Sequence, residues 1–189
     1  MTAEAGDVLV IGYGNPGRMD DGLGPALVEE LEKLDIAGVD LDADYQLIVE
    51  DSAAVAAHKV VVFADAAEAG PGPFYFRPVQ PKGELGFSSH GCQPGAVMAL
   101  ARELFRAETR GYILGIRGYE FNEFREALSD KARANLAAAT EFIVKVLRGR
   151  DFQAAAQEEK DYRRDAESRR TEEEEEEEKE EAFEGDYMD

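Results

Sequence analysis

A single stretch, Asp7 to Gly24, limits what this chain can become. Val8-Leu9-Val10-Ile11 is a short run of β-branched and leucine residues that ends in Gly12, the pattern of a strand buried on both faces of a parallel sheet. Directly after it comes Gly12-Tyr13-Gly14-Asn15-Pro16-Gly17-Arg18-Met19-Asp20-Asp21-Gly22-Leu23-Gly24. A helix is expected from Gly22 to Leu34, with Leu23, Leu27, Leu31 and Leu34 on one face and Glu29, Glu30 and Glu32 on the other. Strand, glycine turn and amphipathic helix together make the opening unit of an α/β fold.

The remaining pattern repeats that alternation. Tyr45 to Val49 is expected as a second strand, Ser52 to Ala57 as a short helix or turn, and Lys59 to Ala64 as a stronger strand. Phe74-Tyr75-Phe76 follows the turn Gly70-Pro71-Gly72-Pro73 and suits an edge strand. From Pro94 the periodicity is helical, with Val97, Leu100, Ala101, Leu104 and Phe105 on one face. Gly111 to Ile116 returns to strand, and Ser129 is placed to cap a last helix with the face Leu136, Ala139, Phe142, Ile143, Val146 and Leu147. The expected architecture is a three-layer α/β sandwich: a mostly parallel, twisted central sheet of about five strands with helices on both faces.

Charge divides the chain. Of 41 acidic and 21 basic residues in 189, residues 151–189 hold 18 acids and 6 bases, including seven consecutive glutamates from Glu172 to Glu178. This segment has no steady apolar face, so residues 1–150 are read as one domain and 151–189 as an acidic tail, disordered or a solvated helix. A formal net charge of -20 repels nucleic-acid phosphates and anionic membrane surfaces, so neither is an expected partner. The apolar runs Val60 to Ala64 and Val8 to Ile11 fall far short of the roughly 20 residues that span a bilayer. Met1 to Asp7 does not read as a signal peptide. The lone Cys92 excludes an intrachain disulfide. A cytoplasmic location is expected.

The glycine turn matches the GxGxxG pattern of dinucleotide binding. Its chemistry does not, because Asp20 and Asp21 stand at the helix entrance, where a pyrophosphate needs bare N–H groups. One of these carboxylates is explained as a helix cap; the other suits a cation. Asp65 stands at the end of the buried run Val60 to Ala64, on the sheet edge where open α/β folds bind ligands, and serves there either as a turn former or as a ligand. His90 lies in the polar loop Phe87-Ser88-Ser89-His90-Gly91-Cys92 and has the same two readings. His58 reads as exposed, and Cys92 as a packed small residue. Two carboxylates and one imidazole leave coordination positions open and suit Zn, Ni or Fe. No Ser-His-Asp set is present, so hydrolysis would use water, activated by a metal or by a carboxylate base.

In order and spacing, Gly14-Asn15-Pro16 through Asp20-Asp21-Gly22-Leu23-Gly24, then Val62-Phe63-Ala64-Asp65-Ala66, then Ser88-Ser89-His90-Gly91 resemble the hydrogenase maturation endopeptidases. Gly115-Ile116-Arg117-Gly118-Tyr119-Glu120-Phe121 resembles a loop of one subgroup. The resemblance covers residue 7 to about residue 148. It implies a cytoplasmic aspartic-type endopeptidase that trims the C-terminal extension of a nickel-iron hydrogenase large-subunit precursor after nickel insertion. By motif, Asp21, Asp65 and His90 would contact the metal, with Asp21 and Asp65 also carrying the hydrolysis. Asp20 would cap a helix or support the ligands from behind, and Gly14 and Asn15 would belong to the substrate loop. The nickel would come with the precursor, and no organic cofactor is implied. Where many members carry Asp-Gly-Gly after the second strand, this chain reads Asp42-Ala43-Asp44-Tyr45-Gln46-Leu47, which points to a different hydrogenase subgroup. Two other readings remain: a metal-sensing chaperone that holds the precursor without cutting it, and a dinucleotide-binding oxidoreductase resting on Gly12, Gly14 and Gly17.

Overall fold

A computed structural model describes residues 6–82 and 92–158. Five strands form one sheet: β1 (Val8–Tyr13), β2 (Val39–Asp44), β3 (Val60–Ala67), β4 (Phe74–Val79) and β5 (Arg110–Arg117), in the order β2-β1-β3-β5-β4. All neighbouring pairs are parallel except β4 with β5, so β4 is the antiparallel edge. Val8 to Ile11 and Val60 to Ala64 are buried throughout, because both faces of the central strands are covered. On one face Val10, Val62 and Leu114 meet Leu23, Leu27 and Leu31 of α1 (Leu23–Glu32) and Leu136, Ile143 and Leu147. On the other, Leu9, Ile11, Val61 and Phe63 meet Val55 of α2 (Asp51–Ala56) and Val97 and Met98 of α3 (Pro94–Phe105). The expected α/β sandwich is the observed one.

The last helix, α4 (Asp130–Gly149), begins as its sequence requires: the Ser129 side chain accepts the Ala132 N–H at 3.2 Å. Three other expectations are corrected. The second strand is Val39–Asp44, not Tyr45 to Val49; of the apolar run Leu47-Ile48-Val49, only Leu47 is buried, and it anchors a loop. Alternating aspartates hid β2, which is half-buried because it is an edge strand. In α3 burial concentrates between Ala96 and Ala101, and Leu104 and Phe105 are exposed rather than part of the packed face. His58 is buried, not exposed: its Nδ1 lies 2.7 Å from the Ala54 carbonyl and its Nε2 2.9 Å from Asp40 Oδ2.

The packed body also continues past the boundary read at Arg150. Residues 152–158 are helical, and Phe152, Ala155 and Ala156 join the core cluster, with the Phe152 ring 5.6 Å from that of Tyr112. Three apolar residues among polar neighbours are too few to show as a periodic face, yet enough to seal the end of the α1–α4 layer. Phe152→Ala should therefore cost about 3 kcal/mol or more, in line with large-to-small core substitutions, measured by urea unfolding. A chain ending at residue 150, which lacks Phe152, Ala155 and Ala156, should lose a comparable amount.

Candidate functional site

Parallel strands bring their carboxyl ends to one edge, and the acidic residues singled out above converge there. The geometry begins with a contact that only glycine permits. A Cβ on Gly12 would lie 2.2 Å from the Gly24 carbonyl oxygen, and one on Gly24 would lie 2.3 Å from the Tyr13 oxygen and 2.5 Å from that of Ala64. α1 therefore starts directly against β1 and β3. Gly14 has φ +135°, and a Cβ there would lie 2.0 Å from the Asp21 carbonyl oxygen. The glycines thus serve close packing of the chain on itself, and the Gly14 position faces the Asp21 backbone rather than a phosphate.

Asp21 belongs to a 3-10 turn, Met19–Gly22, that leads into α1. Its Oδ2 accepts the Asn15 N–H at 3.1 Å, and Asn15 Oδ1 in turn accepts the Gly17 N–H at 2.9 Å. Gly14 and Asn15 accordingly shape the turn that presents Asp21. Neither aspartate caps α1: the residue at the cap position is Gly22, with no side-chain bond.

Asp20 has a different task. It is fully buried and accepts four hydrogen bonds: from the N–H groups of Tyr119 (2.8 Å), Glu120 (2.9 Å) and Ser129 (2.7 Å), and from the Ser129 hydroxyl (2.8 Å). Burial alone would raise its pKa, but these donors outweigh it and hold the carboxyl below its usual value. The Asp20 N–H also donates to the Glu120 carbonyl at 2.9 Å and Met19 N–H to that of Arg125 at 3.1 Å. The segment carrying Asp21 is thereby clamped to the loop 118–129.

Asp65 stands in β3, beside the end of β1, partly buried. Its Oδ1 accepts the Ala66 N–H at 2.7 Å. Burial pushes its carboxyl up to about 6; the Tyr13 hydroxyl and the Ala66 N–H oppose that rise, and the charges of Asp21 and Glu68 add to it. Asp21 and Asp65 are thus close enough to feel one another. Tyr13, not singled out in the sequence, follows Gly12, which pairs with Ala64, and so stands beside Asp65; its phenol is pushed upward by burial, then by the Asp65 charge, and stays neutral. Gln46, by contrast, is exposed, and Tyr45 is 71% exposed, on the loop after β2.

His90 lies outside the described residues, in the connection between Lys82 and Cys92. Cys92 is partly buried against the α2–α3 cluster, and its N–H donates to the Leu47 carbonyl at 2.9 Å. Burial, then the charges of Asp51 and Glu50, push its thiol up, which disfavours a thiolate nucleophile. Among the described residues no three His, Cys, Asp or Glu side chains form a set able to hold a metal ion. Asp21 and Asp65 each keep acceptor capacity beyond their protein bonds, and oxygen donors are the type that hard divalent cations take.

No family model matches the sequence, and no curated protein matches it. Solved structures do. The fold is that of the NiFe hydrogenase maturation protease HycI from Thermococcus kodakarensis, at 24% identity and TM-score 0.59 over 77% of this chain and 94% of that one. It is equally that of the hydrogenase maturating endopeptidase HybD from Escherichia coli, at 21% identity and TM-score 0.61 over 76% and 93% of the two chains. A hydrogenase 2 maturation peptidase from a Thaumarchaeota archaeon aligns at 19% identity and TM-score 0.54 over 74% and 97%. In fold, the chain stands with the hydrogenase maturation proteases. Among the described residues no helix is long and apolar enough to cross a membrane.

Two outcomes follow for the metal-free protein. The Asp65 carboxyl holds its proton more tightly folded than unfolded, so the stability it contributes is complete below about pH 4 and is lost as pH rises through about 6. Asp65→Asn should therefore gain on the parent protein between pH 4.5 and pH 7.5, by on the order of 2 kcal/mol, in urea titrations with a chelator present. Asp20→Asn has the opposite sign. It replaces a stabilised carboxylate with an amide facing N–H donors, and should cost about 3 kcal/mol at neutral pH, a penalty that shrinks as acid protonates the parent Asp20.

Proposed function

We propose that this protein is an endopeptidase of hydrogenase maturation, removing the C-terminal extension from a nickel-iron hydrogenase large-subunit precursor after nickel has been inserted. The observation that carries the reading is that Asp21 and Asp65 both stand at the carboxyl edge of a sheet whose fold is shared with solved proteases of that class. The motif around His90 supplies the third donor in this reading. Nickel is part of the substrate: Asp21, Asp65 and His90 would meet the ion already held by the precursor, so that only loaded precursor is docked in register for cutting. No organic cofactor takes part, and the reaction belongs to the cytoplasm.

The chemistry asked of the chain is modest. A water molecule must lose a proton as it attacks the scissile carbonyl, and a carboxylate with a pKa near the operating pH is suited to accept it. Asp21 and Asp65 are the carboxylates placed to accept it; Asp65 is raised to about 6 without a cation, and contact with the ion would lower it. Asp21, fixed by the Asn15 N–H, orients the cation. The buried phenol of Tyr13 and the raised thiol of Cys92 stay protonated, so neither competes as nucleophile.

The deciding experiment incubates the full-length protein with nickel-loaded and nickel-free precursors and follows the C-terminal cut by mass. Cleavage of the loaded form only is expected. Asp21→Ala and His90→Ala should each lower the rate at least 100-fold, as for removal of a metal ligand or its close support, while leaving the circular dichroism of the fold intact. Wild-type rates in both variants would remove the site assignment. A stable complex without any mass change would instead identify a chaperone.

A further inference from the structure

Gly115 lies in the interior of β5, where a glycine weakens a strand by adding backbone freedom and no side chain to pack. Its backbone does not call for glycine, because its φ is outside the left-handed region. The reason is a side chain from the next strand. A Cβ on Gly115 would fall within 2.5 Å of the Cζ, Cε1 and hydroxyl oxygen of Tyr75, so the end of that ring occupies the space of the missing side chain.

Register sets this contact beside Asp65. Asp65 pairs with Gly115 and Gly115 with Tyr75, so the three stand in one row across β3, β5 and β4. Alternation puts the row on the sheet face covered by α2 and α3, since Phe63, two residues before Asp65, and Val79, four after Tyr75, belong to that cluster. The flanking Phe74 and Phe76 turn to the opposite face, where both meet the Phe142 ring. Tyr75 thus reaches inward from the edge strand over β5, and its hydroxyl end stands about 5 Å, one strand spacing, from the backbone at Asp65. The Arg77 guanidinium, 4.7 Å from the ring centroid, braces it from the same strand. Phe76 and Tyr112 are fully buried, whereas Tyr75 is half-buried, so part of its ring stays accessible at the carboxyl edge.

A ring laid over a strand glycine can serve packing alone. Here the covered glycine is the residue paired with Asp65, so the ring also walls one side of that carboxylate. We propose that Tyr75 is a substrate-contact residue of the cleavage site: the polypeptide presented to Asp65 rests against its ring, and Gly115 is glycine so that the ring can lie there. This rests on the reading of Asp21 and Asp65 as the carboxylates of an endopeptidase site. A ring already held by β5 and Arg77 offers contact area to an incoming chain at little ordering cost.

The test follows cleavage of nickel-loaded precursor by the full-length protein, with urea unfolding of each variant alongside. Tyr75→Ala should raise KM about 10-fold with little change in kcat, the pattern of an aromatic contact made equally in the ground and transition states. Tyr75→Phe, which keeps the ring, should recover most of that loss. Gly115→Ala adds a Cβ where the ring lies; because β4 is the sheet edge, the ring can swing away while the backbone stays, and KM should rise by a similar factor. With the ring already gone, the second change in Tyr75→Ala/Gly115→Ala should add no further rise in KM, whereas additive rises would overturn the account of Gly115. Wild-type KM in Tyr75→Ala and Gly115→Ala, with only the unfolding midpoint lowered, would overturn the substrate contact and leave the Asp21 and Asp65 reading standing. A wild-type protein that leaves the loaded precursor uncut would overturn that reading, and the role of Tyr75 with it.

Discussion

The contact between Gly12 and Gly24 governs the rest of the site. With no side chain at either position, the first turn of α1 lies directly on the backbones of β1 and β3, and any Cβ would collide with backbone carbonyl oxygens. That approach leaves the intervening residues no room to form a wide loop. They fold back so that the Asp21 carbonyl faces Gly14 and the Asp21 carboxylate reaches the Asn15 N–H. Dinucleotide-binding turns use the same glycine economy to admit a pyrophosphate. Here the space is filled by the chain, and the polarity is reversed: carboxylates stand where a phosphate would have to sit.

Two buried carboxylates near this turn illustrate how environment assigns roles to identical side chains. Asp20 meets four donors and is stabilised as an anion, so its charge is spent inside the protein on tying the 19–22 turn to the loop 118–129. At Asp65 burial outweighs the fewer donors present, and the charge of Asp21 adds to it, so its anionic form is under-stabilised. A cation would relieve that imbalance at Asp65 and gain nothing at Asp20. The difference lies in how far donors offset burial: the four at Asp20 outweigh it and the fewer at Asp65 do not.

The parts of this arrangement that were legible beforehand are those written in local pattern. The buried runs of β1 and β3, the α1 stripe, the Ser129 cap and the acidic motifs each depend on residues close in sequence. β2 was missed because an edge strand buried on one side carries aspartates that resemble a loop, while Leu47-Ile48-Val49 offered a more apolar decoy. The role of Asp20 could not be read locally, since its partners lie about a hundred residues away. Tyr13 and Tyr75 were hidden for a related reason: only strand register places one beside Asp65 and the other across Gly115.

The same register bears on what the edge can accept. A groove lies between α1 and α4, lined by Leu34, Leu136 and Val144 with Arg133 and Lys145. Asp21 and Asp65 stand elsewhere, at the carboxyl edge of the sheet, where β1 leads into the Met19–Gly22 turn and β3 ends. A dinucleotide would have to lay its pyrophosphate at the entrance to α1, where bare N–H groups are needed and these carboxylates repel it. A cation-bearing substrate meets the opposite sign. The electrostatics of the turn therefore disfavour a dinucleotide on physical grounds that are independent of any resemblance.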